Sequence, residues 1–306
     1  MRIALVTTSW PANDADPAGH FVRSSARALE RQGHEVEVVA PPTGGAFGWP
    51  GVAARLRERP LRAVGAARWV SHARARVARI AAHRVIAHWA VPCAWPIASG
   101  SPSLPLEVVS HGGDVRLLMA MPVLARRFVV RAIASQSSAW TFVSDTLLHA
   151  LLGSLDRTDR ANVERIAVVR APILELPDVR DAVQSLRAEL GATRVAVSVG
   201  RLIASKRVDR AIDHVGRTRE VNALVVVGDG PERSKLERRA LARGVDARFV
   251  GAVGRVEALA WIGAADALIQ ASSAEGLSTV VREAEALGTP VIHLGDPSDA
   301  EEGGFT

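Results

Sequence analysis

The chain has 306 residues, 48% of them hydrophobic and 23% charged, with a formal net charge of +6. That length suffices for two domains with separate cores, and the mean hydropathy of +0.12 predicts a packed globular protein. The single cysteine, Cys93, excludes an intramolecular disulfide and a cysteine-rich zinc site, and no apolar run approaches the ~20 residues of a membrane-spanning helix.

In chain order, Met1-Arg2-Ile3-Ala4-Leu5-Val6 passes straight into a strand pattern without the form of a cleavable signal. With the lone thiol, this predicts a cytoplasmic protein. Short β-like runs then alternate with helical patterns, which implies parallel sheets with crossover helices. The expected strands of the first half are Ile3–Thr7, Val36–Ala40, Val85–His88, Glu107–Ser110, Trp140–Val143 and Ile166–Val169, with a helix over Val22–Gln32 ended by Gly33. Those of the second half are Val195–Val199, Ala223–Val227, Ala247–Val250, Ala267–Gln270 and Val291–His293. Between Pro172 and Asp178 there are two prolines and no helical period, which places a junction between domains 1–172 and 173–306. Two doubly wound α/β domains are expected, with ligands at the carboxyl ends of their strands, in the cleft the pair would leave.

Charge is uneven. Up to Pro172 there are 21 arginines against 12 acids, and after it 17 basic against 20 acidic residues. The segment from Arg55 to Arg84 holds nine arginines and one acid, Glu58, interleaved with Trp69, Val70, Val77 and Ile80. Such a basic amphipathic stretch suits an anionic membrane surface, and it equally suits a solvated helix face with snorkelling arginines. No nucleic-acid-binding motif accompanies the charge.

Two stretches carry the chemistry. The first is Val199-Gly200-Arg201-Leu202-Ile203-Ala204-Ser205-Lys206, where a buried strand ends and a helix is expected to start, with Ser205 as its N-cap. Lys206 and Arg207 would then lie in the first turn, where the helix dipole disfavours cations unless an anion is bound. The other reading is two solvated cations partly offset by Asp209. The second stretch follows the strand at Ala267–Gln270: Glu275-Gly276-Leu277-Ser278, then a helix capped by Ser278. The free N–H groups of Leu277, Ser278 and Thr279 could meet phosphate oxygens. Glu275 and Glu283 could take hydroxyls, or Glu283 could be an ordinary surface residue of the helix. No His/Asp set has metal-ligand spacing.

These motifs resemble a known family. Gly200-Arg201…Lys206, Gly228-Asp229-Gly230-Pro231, Phe249-Val250-Gly251 and Glu275-Gly276…Glu283-Ala284…Gly288-Thr289-Pro290-Val291 stand in the order and spacing of family 4 retaining glycosyltransferases. Gly19-His20-Phe21, Gly33-His34-Glu35-Val36, His111-Gly112-Gly113-Asp114 and Val143-Ser144-Asp145 match more loosely. The resemblance implies a GT-B fold of two facing Rossmann-like doubly wound parallel-sheet domains. It implies a nucleotide-sugar donor and a sugar, lipid-linked or small-molecule acceptor, with no obligatory metal or cofactor and no nucleic acid. It implies catalytic roles for His111, Arg201, Lys206 and Glu275. Donor binding would fall to Gly19, Gly200, Phe249, Val250, Leu277, Ser278, Thr279 and Glu283: Gly19 admits the diphosphate, Phe249 and Val250 read the base, and Glu283 holds the ribose. Such enzymes build cell-envelope glycans, glycolipids or exopolysaccharides, so a peripheral place at the inner face of the plasma membrane is a further expectation. The chain departs from the pattern at Arg170-Ala171-Pro172, where many relatives have an Asn-Gly turn. Relatives also continue well past Gly303-Gly304-Phe305, which predicts a C-terminal domain incomplete at its end. Two other readings stay open: a non-catalytic nucleotide-sugar-binding relative, and a sugar-nucleotide epimerase of the same fold.

Overall fold

The computed structural model describes residues 1–11, 19–42, 44–47, 52–100, 104–218, 221–272 and 277–295. The chain divides into two compact units, one running to Glu175 and the other starting at Leu176. The region past residue 295, where the expected incompleteness falls, lies outside the described residues.

The N-terminal unit is built on a six-stranded sheet of β1 (Arg2–Val6), β2 (Glu35–Val39), β3 (Arg84–His88), β4 (Leu106–Ser110), β5 (Ser137–Phe142) and β6 (Ala167–Val169). All pairings are parallel, in the order β2-β1-β3-β4-β5-β6. Parallel strands need helical crossovers, which cover both faces and demand continuous apolar runs rather than alternation. Accordingly Ile3, Ala4, Leu5 and Val6 are all fully buried. The first helix spans His20–Arg31, with Gly33 just beyond. The motif Val143-Ser144-Asp145 is a helix start, since the Ser144 side chain accepts from Leu147 N–H at the head of helix Asp145–Gly153.

The arginine-rich segment forms two helices, Val52–Glu58 and Arg62–Arg79. Trp69, Ala73 and Val77, spaced by four, are the buried stripe of the second. Those three residues therefore pack on the unit's own core, while Arg68, Arg74, Arg76 and Arg79 face solvent together with Val64 and, just before the helix, Leu61. Among the described residues, no helix is long and apolar enough to cross a membrane.

The C-terminal unit has five parallel strands: β7 (Val195–Val199), β8 (Ala223–Val227), β9 (Asp246–Gly251), β10 (Ala267–Gln270) and β11 (Val291–His293). Their order is β11-β10-β7-β8-β9. The period-2 rule divides the core between two faces. Leu224 and Val226 of β8 pack with Leu202, Ile212 and Leu236. Val225 and Val227 pack on the opposite side with Leu259, Trp261 and Ile262. All eleven expected strands are present, with ends displaced by up to three residues.

One local expectation fails. The residues after Gly200 do not enter a helix at Ser205. Ala204–Lys206 form a single 3-10 turn, and Arg207 adopts a left-handed conformation (φ 49°, ψ 39°) ahead of helix Val208–Val215. Lys206 is thus outside the helix, and Arg207 is the residue before it, paired with Asp209 at 3.2 Å. Neither cation lies inside the first turn, and Asp209 within that turn pairs with Arg207, which offsets its charge at the positive end of the dipole.

The Gly228-Asp229-Gly230 motif has a packing role. Gly200 N–H donates to Val227 O (2.9 Å) and Leu202 N–H to Asp229 O (2.9 Å), which presses the two loops together. A β-carbon on Gly228 would stand 1.9 Å from Gly200 O, and Gly228 has φ +133°. Neither the contact nor the dihedral admits a side chain. Gly228→Ala is therefore expected to destabilise the unit by about 1–3 kcal/mol or more, read as a lower urea midpoint. An unchanged midpoint would show that the loops are not locked in this way.

Candidate functional site

In a doubly wound sheet, ligands bind outside the carboxyl ends of the strands, where the strand order reverses. In the C-terminal unit that reversal lies between β7 and β10, the paired neighbours Ala196↔Ala267 and Val197↔Leu268. β7 runs out into Gly200 and Arg201, and β10 into Ala271 and Ser272. The two stretches singled out in the sequence therefore start from adjoining strands.

Arg201 and Lys206 are both half-buried. The Lys206 side chain lies over the end of β7, its Cε 3.8 Å from where a β-carbon of Gly200 would stand. Across the switch point, Ser278 precedes helix Thr279–Leu287 as expected, but its side chain makes no capping bond. The first turn contains no acidic residue, so no carboxylate within that turn offsets its N–H groups and the positive end of the dipole. Leu277, Ser278 and Thr279 are half-buried there. Glu275 and Gly276 lie outside the described residues.

Glu283 is not an ordinary surface residue of its helix. Its side chain is 8% exposed and pairs with Arg255 Nη2 at 3.0 Å, linking helix Thr279–Leu287 to helix Arg255–Ala264. Burial pushes its carboxyl group up, against the opposing pull of Arg255 and Arg282. Arg255 went unnoticed in the sequence, because one arginine at the start of a helix has no local signal. Phe249 and Val250 lie in β9, at the sheet edge two strands from β7. There the Phe249 carbonyl accepts from Arg233 Nη2 (3.1 Å), whose Nη1 also stands 3.7 Å from Asp229. Arg233 thereby ties the Gly228 loop to the end of β9.

The N-terminal unit has its own reversal, between β1 and β3, in the order β2-β1-β3. Gly19 stands beyond β1 and His111 beyond β4. A β-carbon on Gly19 would lie 2.2 Å from Ser9 O. The glycine is thus already required for the chain to pass Ser9 on entering the first helix. His111 is half-buried, and its Nε2 is 2.9 Å from Nδ1 of buried His88. Phe21 and Trp89 flank its ring, with centroids 4.7 and 5.1 Å away.

Asp114 organises this corner and does more than cap a helix. Its Oδ1 accepts from the N–H groups of His111 and Gly112 (both 3.1 Å), and its Oδ2 from Ala90 N–H (2.8 Å). It thereby ties the loop after β4 to the loop after β3. Burial raises its pKa, and bonds from Ser110, Ala90 and His111 oppose that rise. Ser110 in turn accepts from Trp140 Nε1 at 2.9 Å. The same anchoring holds Trp89 at φ 74°, a conformation that a bulky residue keeps only when its surroundings over-determine it. Cys93 is fully buried and burial pushes its thiol up, which makes it a poor nucleophile. Among the described residues, no group of three or more His, Cys, Asp or Glu could hold a metal ion.

Two doubly wound parallel-sheet units define an α/β class in which ligands bind beyond the strand ends, and here a cationic loop and a helix N-terminus follow adjoining strands. Comparison with known proteins narrows it. Residues 185–298 match the family model described as glycosyl transferases group 1. The chain is 27% identical over 211 residues to TuaC of Bacillus subtilis (strain 168), provisionally named as a glycosyltransferase of teichuronic acid biosynthesis; this covers 67% of this chain and 51% of that protein. It is 35% identical over 98 residues to LpsE of Rhizobium meliloti (strain 1021), a lipopolysaccharide core biosynthesis glycosyltransferase, covering 32% of this chain and 28% of the other. The matches thus span about half the length of the first relative and less of the second. Among solved structures, Anabaena HepE in complex with UDP gives a TM-score of 0.63 at 18% identity, over 96% of this chain and 80% of that one. At that identity the likeness concerns the fold, and the fold class is GT-B, of two parallel-sheet α/β units.

Burial lowers both imidazoles at the N-terminal corner: His111 to about 3, and His88 well below its usual value, with His111 adding to the effect. In the unfolded chain a histidine takes up a proton below about pH 6.5. The unfolded state then binds more protons than the folded one, so stability declines as pH falls from there toward 3. The raised carboxyl groups of Asp114 and Glu283 act in the opposite sense. Denaturant midpoints compared at about pH 7.5 and about pH 5.5 are expected to drop at the lower pH, and to drop less in His88→Phe. Equal drops in the two proteins would place the effect elsewhere.

Proposed function

We propose that the chain is a retaining glycosyltransferase, moving a hexose from a nucleotide-diphosphate sugar to an acceptor hydroxyl in cell-envelope glycan, glycolipid or exopolysaccharide synthesis. One observation carries this reading: Gly200, Arg201 and Lys206 leave β7 beside the strand that leads to the N-terminus of helix Thr279–Leu287. A diphosphate needs such a convergence of guanidinium, ammonium and backbone N–H groups. Further support comes from the glycosyl transferases group 1 match, from relatives named for envelope polysaccharides, and from HepE, which was solved with UDP and with UDP-glucose.

In the proposed reaction the bond from the anomeric carbon to the diphosphate oxygen breaks as the acceptor oxygen bonds to that carbon on the same face. The acceptor proton passes to the departing phosphate oxygen. Arg201 engages phosphate oxygens as a planar fork and Lys206 as a point charge. Both are needed most as negative charge grows on the leaving group, so catalysis is chiefly electrostatic and positional. Glu275 is assigned to donor-sugar hydroxyls. Glu283 is assigned to the ribose, which it would share with Arg255. His111 is assigned to a hydroxyl of the transferred sugar. Backbone at Phe249 and Val250 is assigned to the base, through groups other than the Phe249 carbonyl lone pair that Arg233 takes.

Calorimetry with UDP and GDP tests the reading. Arg201→Ala or Lys206→Ala is expected to weaken binding about tenfold to a hundredfold, corresponding to the loss of one charge-assisted contact. Absence of heat with every nucleoside diphosphate would overturn it. Binding without transfer, equal to a Glu275→Ala control, would favour a non-catalytic relative. An epimerised donor formed without acceptor would favour an epimerase.

Attachment to an anionic membrane surface finds support in the arginine-rich segment, where Leu61 and Val64 are exposed, and more strongly in a second group of exposed apolar residues. Val123, Leu124 and Phe128 of helix Val123–Gln136 are exposed, with Leu117 and Met119 of helix Gly113–Ala120 and the exposed Arg116 close in sequence. Exposed apolar side chains with an arginine near them in the chain suit the boundary of anionic headgroups and acyl chains. Flotation with phosphatidylglycerol vesicles is expected to recover the protein at low salt and to lose it in Leu124→Asp/Phe128→Asp. No recovery of the unaltered protein would remove the proposal.

A further inference from the structure

We propose that His88 is the positioning residue of His111: it occupies Nε2 of His111 and fixes the ring so that Nδ1 is the nitrogen offered to a sugar hydroxyl. The role toward a sugar rests on the glycosyltransferase reading; the ring geometry does not.

The two imidazole planes lie within 10° of each other, with centroids 5.1 Å apart. Stacked rings at van der Waals contact would be much closer. With Nδ1 of His88 only 2.9 Å from Nε2 of His111, the centroid separation is instead nearly the N···N distance plus the two ring radii. The rings are therefore edge to edge in one plane, which is the alignment of an in-plane hydrogen bond. One of the two facing nitrogens carries the proton and the other a lone pair.

Two consequences follow from chemistry alone. The pair holds a single proton between its facing atoms, because a second would set N–H against N–H. In addition, whichever atom holds that proton, Nε2 of His111 is engaged, and the tautomer of His111 is tied to that of His88. Nδ1 remains, on a half-buried ring bounded by Phe21 and Trp89. Asp114 fixes the backbone on both sides, through His111 N–H and through Ala90 N–H next to Trp89. Burial holds both imidazoles neutral, which suits a group that accepts or donates a neutral hydrogen bond.

Long-range proton–nitrogen NMR on histidine-labelled protein tests this. A nitrogen–nitrogen coupling across the His88–His111 bond is expected in the unaltered chain, with a single neutral His111 tautomer at about pH 6, below the usual histidine pKa. In His88→Ala, His111 is expected to show mixed tautomers and to titrate nearer its ordinary range. His88→Asn, whose amide can replace Nδ1, should restore one tautomer. Absence of the coupling in the unaltered chain, or an unchanged His111 spectrum in a folded His88→Ala protein, would overturn the assignment. In transfer assays kcat/KM should fall about tenfold or more in His88→Ala and recover in His88→Asn. Loss in both variants would mean that His88 acts through packing. If the unaltered chain transfers no sugar, the glycosyltransferase reading fails, while the coupling still decides the ring geometry.

Discussion

The hydrogen bond from Gly200 N–H to Val227 O, with the backbone approach of Gly228 that it requires, holds up the rest of the C-terminal site. A parallel strand ends with backbone groups that its neighbours no longer satisfy, and the next loop must supply partners. Here the loops after β7 and β8 satisfy each other. That mutual bonding, rather than any side chain, fixes where Arg201 leaves the sheet and where Lys206 returns over Gly200. Arg233 extends the same lock to β9. Across the switch point, the ion pair of Arg255 with Glu283 ties helix Thr279–Leu287, and so its N-terminus, to the neighbouring helix. A charge pair buried to this degree costs heavily if one partner is removed, which suits a contact that must not shift.

The N-terminal unit solves the corresponding problem with a carboxylate. Asp114 accepts three backbone N–H bonds from two loops and a further bond from Ser110. The strained Trp89 and the paired histidines are arranged around it. Where the C-terminal unit uses close glycine contacts, this unit uses one buried charge. Both devices make strand ends rigid, as expected when a binding group must be held on a fixed scaffold.

Much of this was legible from local pattern. Buried strands declare themselves as apolar runs, and the loops that follow them declare themselves by glycine and charge, so β7 through Arg201, β10 and the start of helix Thr279–Leu287 were legible in the sequence. The placement of Lys206 within a helix was misread. An apolar period from Val208 onward looks the same whether the helix begins at Ser205 or after a left-handed Arg207, since one backbone reversal leaves the spacing of Val208, Ala211, Ile212 and Val215 unchanged. Glu283 was read as a ligand for ribose or as a surface residue, and its pairing with Arg255 was invisible, because the two lie 28 positions apart in sequence. His88 carried a signal that was not used: it ends the apolar run of β3 as His111 follows that of β4, and neighbouring parallel strands bring such ends together.

By itself the sequence determined the place of the strands, the α/β class and the loops in which glycine and charge gather, because those depend on burial period and turn residues within a few positions. The tertiary structure alone decided which loops stand side by side, which carboxylates are already spoken for, and that two imidazoles share one plane. Those outcomes depend on strand order and crossover packing, which join residues far apart in the chain and leave no mark in any local window.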